Sequence, residues 1–165
     1  EDKKDITKVT PTDNQDAKCF VIDRQVSGKG LQKKSMDLLA LERMPTGDYR
    51  FLILELKMGN NPELSEKVAE QLGVYVDHIK DNIGDYQACY EEVYGQKKSL
   101  GLWGNMKGLP GSATITDDVQ GAIVVAGYSG LARPAIKKLT SKLSPDVRVY
   151  QYTYRLTNEH RLRLG

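Results

Sequence analysis

The stretch "YRFLILELKMGNN" (residues 49–61) combines the apolar core of a buried β-strand with an acid and a base. Successive side chains of a strand point to opposite faces, so Glu55 and Lys57 continue the face of Phe51. An ionised carboxylate on an apolar face is costly unless a cation neutralises it. The pattern therefore indicates that Glu55 has a specific cationic partner.

Two more strand-like runs precede this stretch, "CFVIDRQV" (residues 19–26) and "MDLLALER" (residues 36–43). The segments between the three runs are short and hold glycine or proline, which favours an antiparallel meander. The second run contains one acid among apolar residues, Asp37. Because neighbouring strands lie about 4.8 Å apart, we expect the carboxylates of Asp37 and Glu55 to converge near one point.

Two helical patterns and a long loop come next. After residue 61 an apolar stripe at helical spacing predicts a helix that Asn61 caps. The stripe consists of Leu64, Val68, Leu72, Tyr75 and Ile79. A second helix is predicted over residues 85–98, in which Tyr86, Cys89, Tyr90 and Val93 share one face. The glycine-rich segment 100–118 is predicted to form a long loop.

Three elements complete the chain: an apolar strand (residues 121–128), a basic amphipathic helix (residues 132–143) and an alternating strand (residues 147–156). The element order is β-β-β-α-α-β-α-β. It predicts an α/β fold with a mixed central β-sheet flanked by helices. Residues 1–18 are interpreted as an irregular lead-in left from a longer chain, and residues 19–165 as a single domain.

The composition, 39% hydrophobic and 28% charged, is that of an ordinary globular protein. Residues 1–96 carry 13 Lys and Arg against 18 Asp and Glu, whereas residues 97–165 carry 11 against 4. The C-terminal part is therefore a candidate docking surface for polyanions, with an unevenly charged solvated surface as the alternative.

No run approaches the roughly 20 apolar residues of a membrane helix, so we expect no membrane partner and a cytoplasmic location. Cys19 and Cys89 each stand alone in the sequence. We interpret both as reduced core residues rather than as a disulfide or a metal pair.

The acids and the lysine together favour hydrolytic chemistry. Two converging carboxylates repel each other, and a divalent cation removes that repulsion. Carboxylate oxygens suit Mg²⁺ or Mn²⁺, which activate a bound water and offset charge at a phosphate. Lys57 shares the face of Glu55, where it could orient or deprotonate the attacking water or stabilise developing charge.

This constellation resembles the PD-(D/E)XK nuclease superfamily, in which one strand carries an acid and the next carries Glu-X-Lys. The matching residues are Asp37 and Glu55-Leu56-Lys57. The segment "EQLGVYV" adds Gln71 and Tyr75 in the Gln-x-x-x-Tyr arrangement of the RecB-type branch. The resemblance implies a restriction-endonuclease-like core, to which the later strands and the third helix would belong.

The resemblance also implies a role for each matching residue. Asp37, Glu55 and the backbone carbonyl of Leu56 would bind a magnesium or manganese ion. Asp37, Glu55 and Lys57 would carry catalysis. Gln71 and Tyr75 would bind the substrate or shape the site. The chain departs from the family at Met36, where the name-giving proline would stand, and in lacking a predicted helix before the first strand that could supply a further acid.

Basic residues near the predicted site fit a phosphate backbone. Lys29, Lys33 and Lys34 flank the turn before Asp37, and Lys33 and Lys34 are our candidates for substrate binding. Lys137, Lys138 and Lys142 lie on the basic helix, where a solvated helix face is the alternative interpretation.

The sequence thus predicts a metal-dependent nuclease that hydrolyses phosphodiester bonds in DNA, with DNA favoured over RNA and a homodimer left open. One alternative is a catalytically weak or inactive nucleic-acid-binding module on a nuclease scaffold. Another is a protein-interaction domain in which Glu55 and Lys57 form a structural ion pair.

Overall fold

The computed structural model describes residues 18–28, 31, 35–64, 67–103, 106, 108–126, 132–140, 147–153 and 161–164. The chain divides into two compact units. Described residues of the first unit fall in Glu55–Gly73 and Gly121–Gly165, and those of the second fall in Thr12–Leu54 and Val74–Gln120. Each unit is described by itself below.

Six strands, three α-helices and one short 3₁₀ helix make up the described structure. The strands are β1 (Cys19–Ser27), β2 (Ser35–Arg43), β3 (Tyr49–Met58), β4 (Ile115–Ala126), β5 (Val147–Thr153) and β6 (Arg161–Leu164). The helices are α1 (Lys67–Asp81), α2 (Ile83–Ser99) and α3 (Ala132–Thr140), with the 3₁₀ helix at Pro62–Leu64. The strand order in the sheet is β1-β2-β3-β4-β5-β6.

The second unit contains the meander that the short turns predict. Strand β1 pairs antiparallel with β2, and β2 pairs antiparallel with β3. The β2–β3 turn closes with a hydrogen bond from the Met44 amide to the Asp48 carbonyl at 2.8 Å. Gly47 lies in this turn with φ +98°, a conformation that favours glycine. The predicted antiparallel arrangement of the first three strands is therefore confirmed.

Aromatic rings form much of the core of the second unit. Phe20 contacts the rings of Tyr49, Tyr94 and Trp103 at centroid distances of 5.6, 6.0 and 5.1 Å. Phe51 contacts Tyr90 edge to face at 5.8 Å. Because large apolar rings lose the most water-exposed area on folding, these contacts explain why α2 packs through its tyrosines.

The predicted inner face of α2 is partly wrong. Tyr90 and Tyr94 are its buried residues, whereas Cys89 is exposed. Cys19 is exposed as well, so the interpretation of the two cysteines as core residues is also wrong. Tyr90 and Tyr94 lie four residues apart on one helix face. That face is buried in preference to the one with Cys89, because burying a larger side chain gains more free energy.

The first unit contains the ends of β3 and β4 together with β5, β6 and α3. The Gly59 amide, just after β3, donates to the Ala126 carbonyl at the end of β4 at 2.7 Å. Strand β4 pairs parallel with β5, and β5 pairs antiparallel with β6. The sheet is therefore mixed and accompanied by helices, which confirms an α/β fold, while the restriction-endonuclease-like arrangement stays a prediction.

The 3₁₀ helix and α1 together carry the predicted apolar stripe. Its members Leu64, Val68, Leu72, Tyr75 and Ile79 are all at most 1% exposed. Within the first unit, a Cβ atom at position 121 would lie 2.9 Å from Leu72 Cγ. Gly121 therefore leaves the space that Leu72 fills beside strand β4.

Several element boundaries differ from the prediction. Strand β4 begins at Ile115, six residues early, because buried Ile115 and Val119 alternate with polar residues. The stretch after Asn61 forms the 3₁₀ helix first, and α1 begins at Lys67. Strand β6 was not predicted. Among the described helices, none has the length and apolar character that crossing a bilayer requires.

Candidate active site

Glu55 is the buried charged residue of strand β3. The strand alternates as predicted, with Phe51 and Ile53 fully buried and Leu56 45% exposed on the opposite face. Glu55 follows Phe51 and Ile53 on the buried face and is itself 1% exposed. A carboxylate with so little access to water needs charged or polar neighbours within the protein.

Two such neighbours lie within the first unit. Lys57 Nζ lies 3.0 Å from Glu55 Oε1. Gln71 Nε2 donates a hydrogen bond to the same oxygen at 3.3 Å. Lys57, two residues later on the same face, thus supplies a cation beside Glu55, as the ion-pair alternative predicts, while metal binding by Glu55 stays a prediction. The structure brings together three of the predicted site residues, and we refer to Glu55, Lys57 and Gln71 as the Glu55 cluster.

The Glu55 cluster has an uneven exposure that matters for chemistry. The side chain of Lys57 is 13% exposed and that of Glu55 only 1%. The lysine side chain is therefore more accessible to solvent than the carboxylate with which it pairs. An ammonium group at 3.0 Å neutralises that carboxylate.

Gln71 takes its position from helix α1. It lies one residue before Leu72, whose side chain is buried, and is itself half-buried at the edge of the apolar stripe. A glutamine amide bonded to a carboxylate fixes the orientation of that carboxylate. The sequence assigned Gln71 to substrate binding or to shaping the site, and this contact supports the second role.

Asp37 lies in the second unit, on strand β2. Its side chain is half-buried and follows Met36, which is fully buried. The β2–β3 ladder includes the pair Leu38 and Leu54. Asp37 therefore lies on β2, one residue before the first residue that this ladder pairs.

Tyr75 supports the start of the same strand. Its ring is fully buried, and its hydroxyl donates a hydrogen bond to the Ser35 carbonyl at 3.0 Å. Ser35 is the first residue of β2 and stands two positions before Asp37. Of the two roles that the sequence left open for Tyr75, this contact supports shaping of the site.

Gln25 is a neighbour of this region that sequence reasoning missed. Strand β1 pairs Arg24 with Leu38 and Val26 with Met36, so Gln25 stands opposite Asp37 in this register. Gln25 has φ +51°, a left-handed conformation that residues other than glycine rarely adopt. No pattern in the sequence marks this position, because glutamine has no preference for that conformation.

The predicted basic residues divide into two groups. Lys29, Lys33, Lys34 and Lys142 lie outside the described residues. Lys137 and Lys138 are exposed on α3, while Ile136 before them and Leu139 after them are buried. The basic helix therefore presents its two described lysines to solvent, as the amphipathic pattern predicts.

The structure offers a limited set of ligands for a cation. In the described ranges, no three His, Cys, Asp or Glu side chains group closely enough to hold a metal ion. The donors that the family resemblance implies are two carboxylates and the Leu56 carbonyl, all hard oxygens of the kind that Mg²⁺ prefers. Their chemistry fits such an ion, although a site of this kind would depend on a peptide carbonyl and water for its remaining ligands.

The contacts of the Glu55 cluster, together with the positions of Asp37 and Tyr75, are the structural basis for an assignment of function. This chain was also compared with models of protein families, with curated proteins and with solved structures, and none of them matches it.

Proposed function

We propose that this protein is a metal-dependent nuclease that hydrolyses phosphodiester bonds in DNA. The observation that carries the proposal is the Glu55 cluster, a carboxylate 1% exposed with an ammonium group at 3.0 Å. Well-packed apolar residues in place of a buried ion pair are often as stable or more stable. A buried ion pair at the end of a strand therefore suggests a chemical role rather than a stabilising one. Ionisable groups in buried, charge-paired environments concentrate at functional sites.

Asp37, Glu55 and the Leu56 carbonyl would hold a magnesium or manganese ion. When bound, such an ion supplies an activated water and neutralises charge at the phosphate. The resemblance to the PD-(D/E)XK superfamily, in which an acid on one strand and Glu-X-Lys on the next bind one ion, supports this assignment.

The other two residues of the Glu55 cluster have separate roles: Lys57 acts on the attacking water and Gln71 acts on the Glu55 carboxylate. The Lys57 ammonium orients that water through a hydrogen bond and stabilises negative charge that develops on the phosphate oxygens. The Gln71 amide holds one oxygen of Glu55 at 3.3 Å, which keeps the carboxylate in a single orientation. Neither role requires a residue outside the cluster.

A polyanionic substrate fits the charge of the chain. Residues 97–165 carry 11 Lys and Arg against 4 Asp and Glu. Lys137 and Lys138 of α3 are exposed to solvent. Exposed lysines attract a phosphate backbone without reading its sequence, and salt weakens that attraction.

The test uses the full chain and a matched pair of variants. Wild-type protein is expected to bind Mn²⁺ in calorimetry and to cleave plasmid or linear DNA in its presence. Asp37→Asn, which keeps the shape and removes the charge, is expected to lower the cleavage rate by about 100-fold or more. Asp117→Asn on β4 removes an exposed carboxylate and serves as the control, with activity unchanged. Wild-type protein that binds no Mn²⁺ and cleaves no DNA would refute the proposal.

A second candidate function is nucleic-acid binding without turnover. It is favoured by the finding that no three acidic, histidine or cysteine side chains group together in the described part of the chain. In that case DNA binding would weaken with salt and would not respond to Mn²⁺ or to Lys57→Ala.

A further inference from the structure

Three large apolar side chains are exposed close together just after helix α2. Leu100 is 71% exposed, Leu102 is 63% exposed and Met106 is 45% exposed. They lie in the second unit, on a loop that we define as residues 100–103 and 106 and call the apolar loop. Single exposed apolar side chains are common on protein surfaces, but a group of them on one loop marks an interaction surface.

The backbone of the apolar loop has a defined conformation. The Gly101 amide donates to the Lys98 carbonyl at 3.0 Å, and Gly101 has φ +65°. The Leu102 amide donates to the Lys97 carbonyl, also at 3.0 Å. These two bonds form a Schellman motif, in which the residue at the place of Leu102 often packs back onto the helix. Leu102 is exposed instead, so the way the helix ends does not account for its apolar side chain.

Aromatic rings of the core hold the apolar loop in place. Trp103 contacts the rings of Phe20 and Tyr94, each at a centroid distance of 5.1 Å. The Tyr94 hydroxyl donates to the Pro110 carbonyl at 2.8 Å, which fixes the chain that follows the loop. A loop held in this way presents its apolar side chains to a partner with little loss of conformational freedom on binding.

Two half-buried lysines at the end of α2 add positive charge beside the apolar loop. Lys97 Nζ donates to the Ile22 carbonyl, and Lys98 Nζ donates to the Leu109 carbonyl at 2.9 Å. A carbonyl fixes the position of an ammonium group but does not cancel its charge. Residues 93–116 contain three lysines and no Asp or Glu. The surface around the loop therefore attracts an anionic partner.

The size of the apolar group distinguishes between partners. Three side chains offer about as much apolar surface as one acyl chain, and a single acyl chain binds a membrane only marginally. A wedge in the minor groove of DNA needs fewer side chains, since one or two leucine or methionine residues between base pairs partly unstack them. Protein interfaces are depleted in lysine, which disfavours a protein partner. These observations together favour DNA.

We propose that the apolar loop is a wedge that enters the minor groove of DNA and places Leu100 and Leu102 between neighbouring base pairs. The two lysines at the end of α2 attract the phosphates beside the wedge. This inference rests on DNA as the substrate in the proposed nuclease function. The wedge acts on DNA binding and base stacking, so its effect can be measured without metal and without cleavage.

The experiment uses the full chain in EDTA and a short DNA duplex with 2-aminopurine at a central pyrimidine–purine step. Such steps unstack easily, and 2-aminopurine fluoresces more strongly when it is unstacked. Wild-type protein is expected to raise this fluorescence. Leu100→Ser/Leu102→Ser is expected to lose most of the rise and to bind the duplex about tenfold more weakly in fluorescence anisotropy.

Val74→Ser is the matched control. Val74 is an apolar residue of α1 that is 54% exposed and lies outside the apolar loop, so this variant should behave as wild type in both measurements. Because all the substituted side chains are exposed, the melting temperatures should stay close to the wild-type value. If the double variant does not fold, Leu102→Ser alone decides by the same two measurements.

The outcomes separate this inference from the nuclease proposal. Wild-type protein that binds the duplex without a rise in fluorescence overturns the wedge, and so does a double variant that matches wild type. In either case, Mn²⁺-dependent cleavage by wild-type protein would leave the nuclease proposal intact. Wild-type protein that neither binds this duplex nor cleaves DNA with Mn²⁺ overturns both.

Two other partners are tested with the same variants. Sedimentation with vesicles of phosphatidylserine and phosphatidylcholine tests a membrane surface, and analytical ultracentrifugation of the protein alone tests a second copy of this chain. If the double variant loses vesicle binding or dimer formation while its DNA binding matches wild type, the apolar loop serves that partner and the wedge is overturned.

Discussion

Two clusters of charge in this protein are built from similar groups but in different surroundings. In the second unit, Arg50 binds Glu42 through Nε at 2.7 Å and Asp118 through Nη1 at 2.8 Å. In the first unit, Lys57 binds Glu55 at 3.0 Å. The side chains of Glu42 and Asp118 are 22% and 35% exposed, whereas that of Glu55 is 1% exposed.

The difference shows what each cluster is suited to do. Partial burial opposes the charge of Arg50, but the hydrogen bonds that Arg50 donates to Asp118 and Glu42, together with the charges of these carboxylates, outweigh it, so the pKa of the guanidinium is raised above its usual value. This arginine is permanently charged and joins strands β2, β3 and β4. The Glu55 cluster instead pairs a lysine, whose ammonium group can exchange protons, with a carboxylate that is 1% exposed. The first arrangement suits a structural role, and the second is the one to which our nuclease proposal assigns catalysis.

The largest effect is expected when the cation of each cluster is removed. Lys57→Met would leave Glu55 buried without its cation and should lower the free energy of unfolding by about 3 kcal/mol at neutral pH. Arg50→Met should cost only about 1–2 kcal/mol, because water still reaches its two carboxylates. Urea denaturation of both variants measures the difference.

This comparison has its own internal check. Lys57→Met should also abolish DNA cleavage, while Arg50→Met should retain it in the folded fraction. Equal costs for the two variants at neutral pH would show that Glu55 is solvated in solution and would remove the basis of the comparison.

A smaller effect is expected from the amide of the Glu55 cluster. Gln71→Leu removes the hydrogen bond to Glu55 and should weaken Mn²⁺ binding by about tenfold, since groups that orient a metal-binding carboxylate typically contribute this much. Gln96→Leu on α2 is the matched control, because Gln96 donates to Glu92 on an exposed surface. Calorimetry with Mn²⁺ should separate the two, and identical affinities would assign Gln71 to packing alone.

The smallest effect is expected at the edge of the Arg50 cluster. Asp118→Asn removes one of the two carboxylates that bind Arg50, and the remaining bond to Glu42 should keep the arginine in place. The loss should be about 0.5–1 kcal/mol in thermal or urea unfolding, with unchanged cleavage activity. A loss as large as that of Lys57→Met would mean that both clusters depend on burial.

Much of the β3 region could be predicted from the sequence because a strand has a strict period of two. That period placed Glu55 and Lys57 on the face of Phe51, and the structure confirms the burial of Glu55. The ion pair between them is the alternative that the sequence left open, and their metal-binding and catalytic roles stay predictions. The helical stripe of α1 was equally clear, since five large apolar residues follow one helical face. Patterns that depend on neighbours in the sequence were therefore recovered.

Features that depend on distant partners were missed. The start of β4 holds Asp117 and Asp118, which are typical of a loop, and the bond from Arg50 on β3 to Asp118 is a distant contact that the sequence does not show. The role of Tyr75 depends on a carbonyl forty positions away, and backbone carbonyls carry no sequence signature. The φ of +51° at Gln25 has no signature in the sequence either.

The pairing of β3 with β4 has a consequence for the order in which the protein folds. The Tyr49 amide bonds to the Thr114 carbonyl, so this pairing joins residues about 65 positions apart and closes later than the local meander. The hydrogen bond from Gln71 to Glu55 also forms only after α1 has packed against β3. We therefore expect the Glu55 carboxylate to stay hydrated until a late step of folding. We expect the penalty of an unpaired Glu55 to accelerate unfolding and to leave the folding rate almost unchanged.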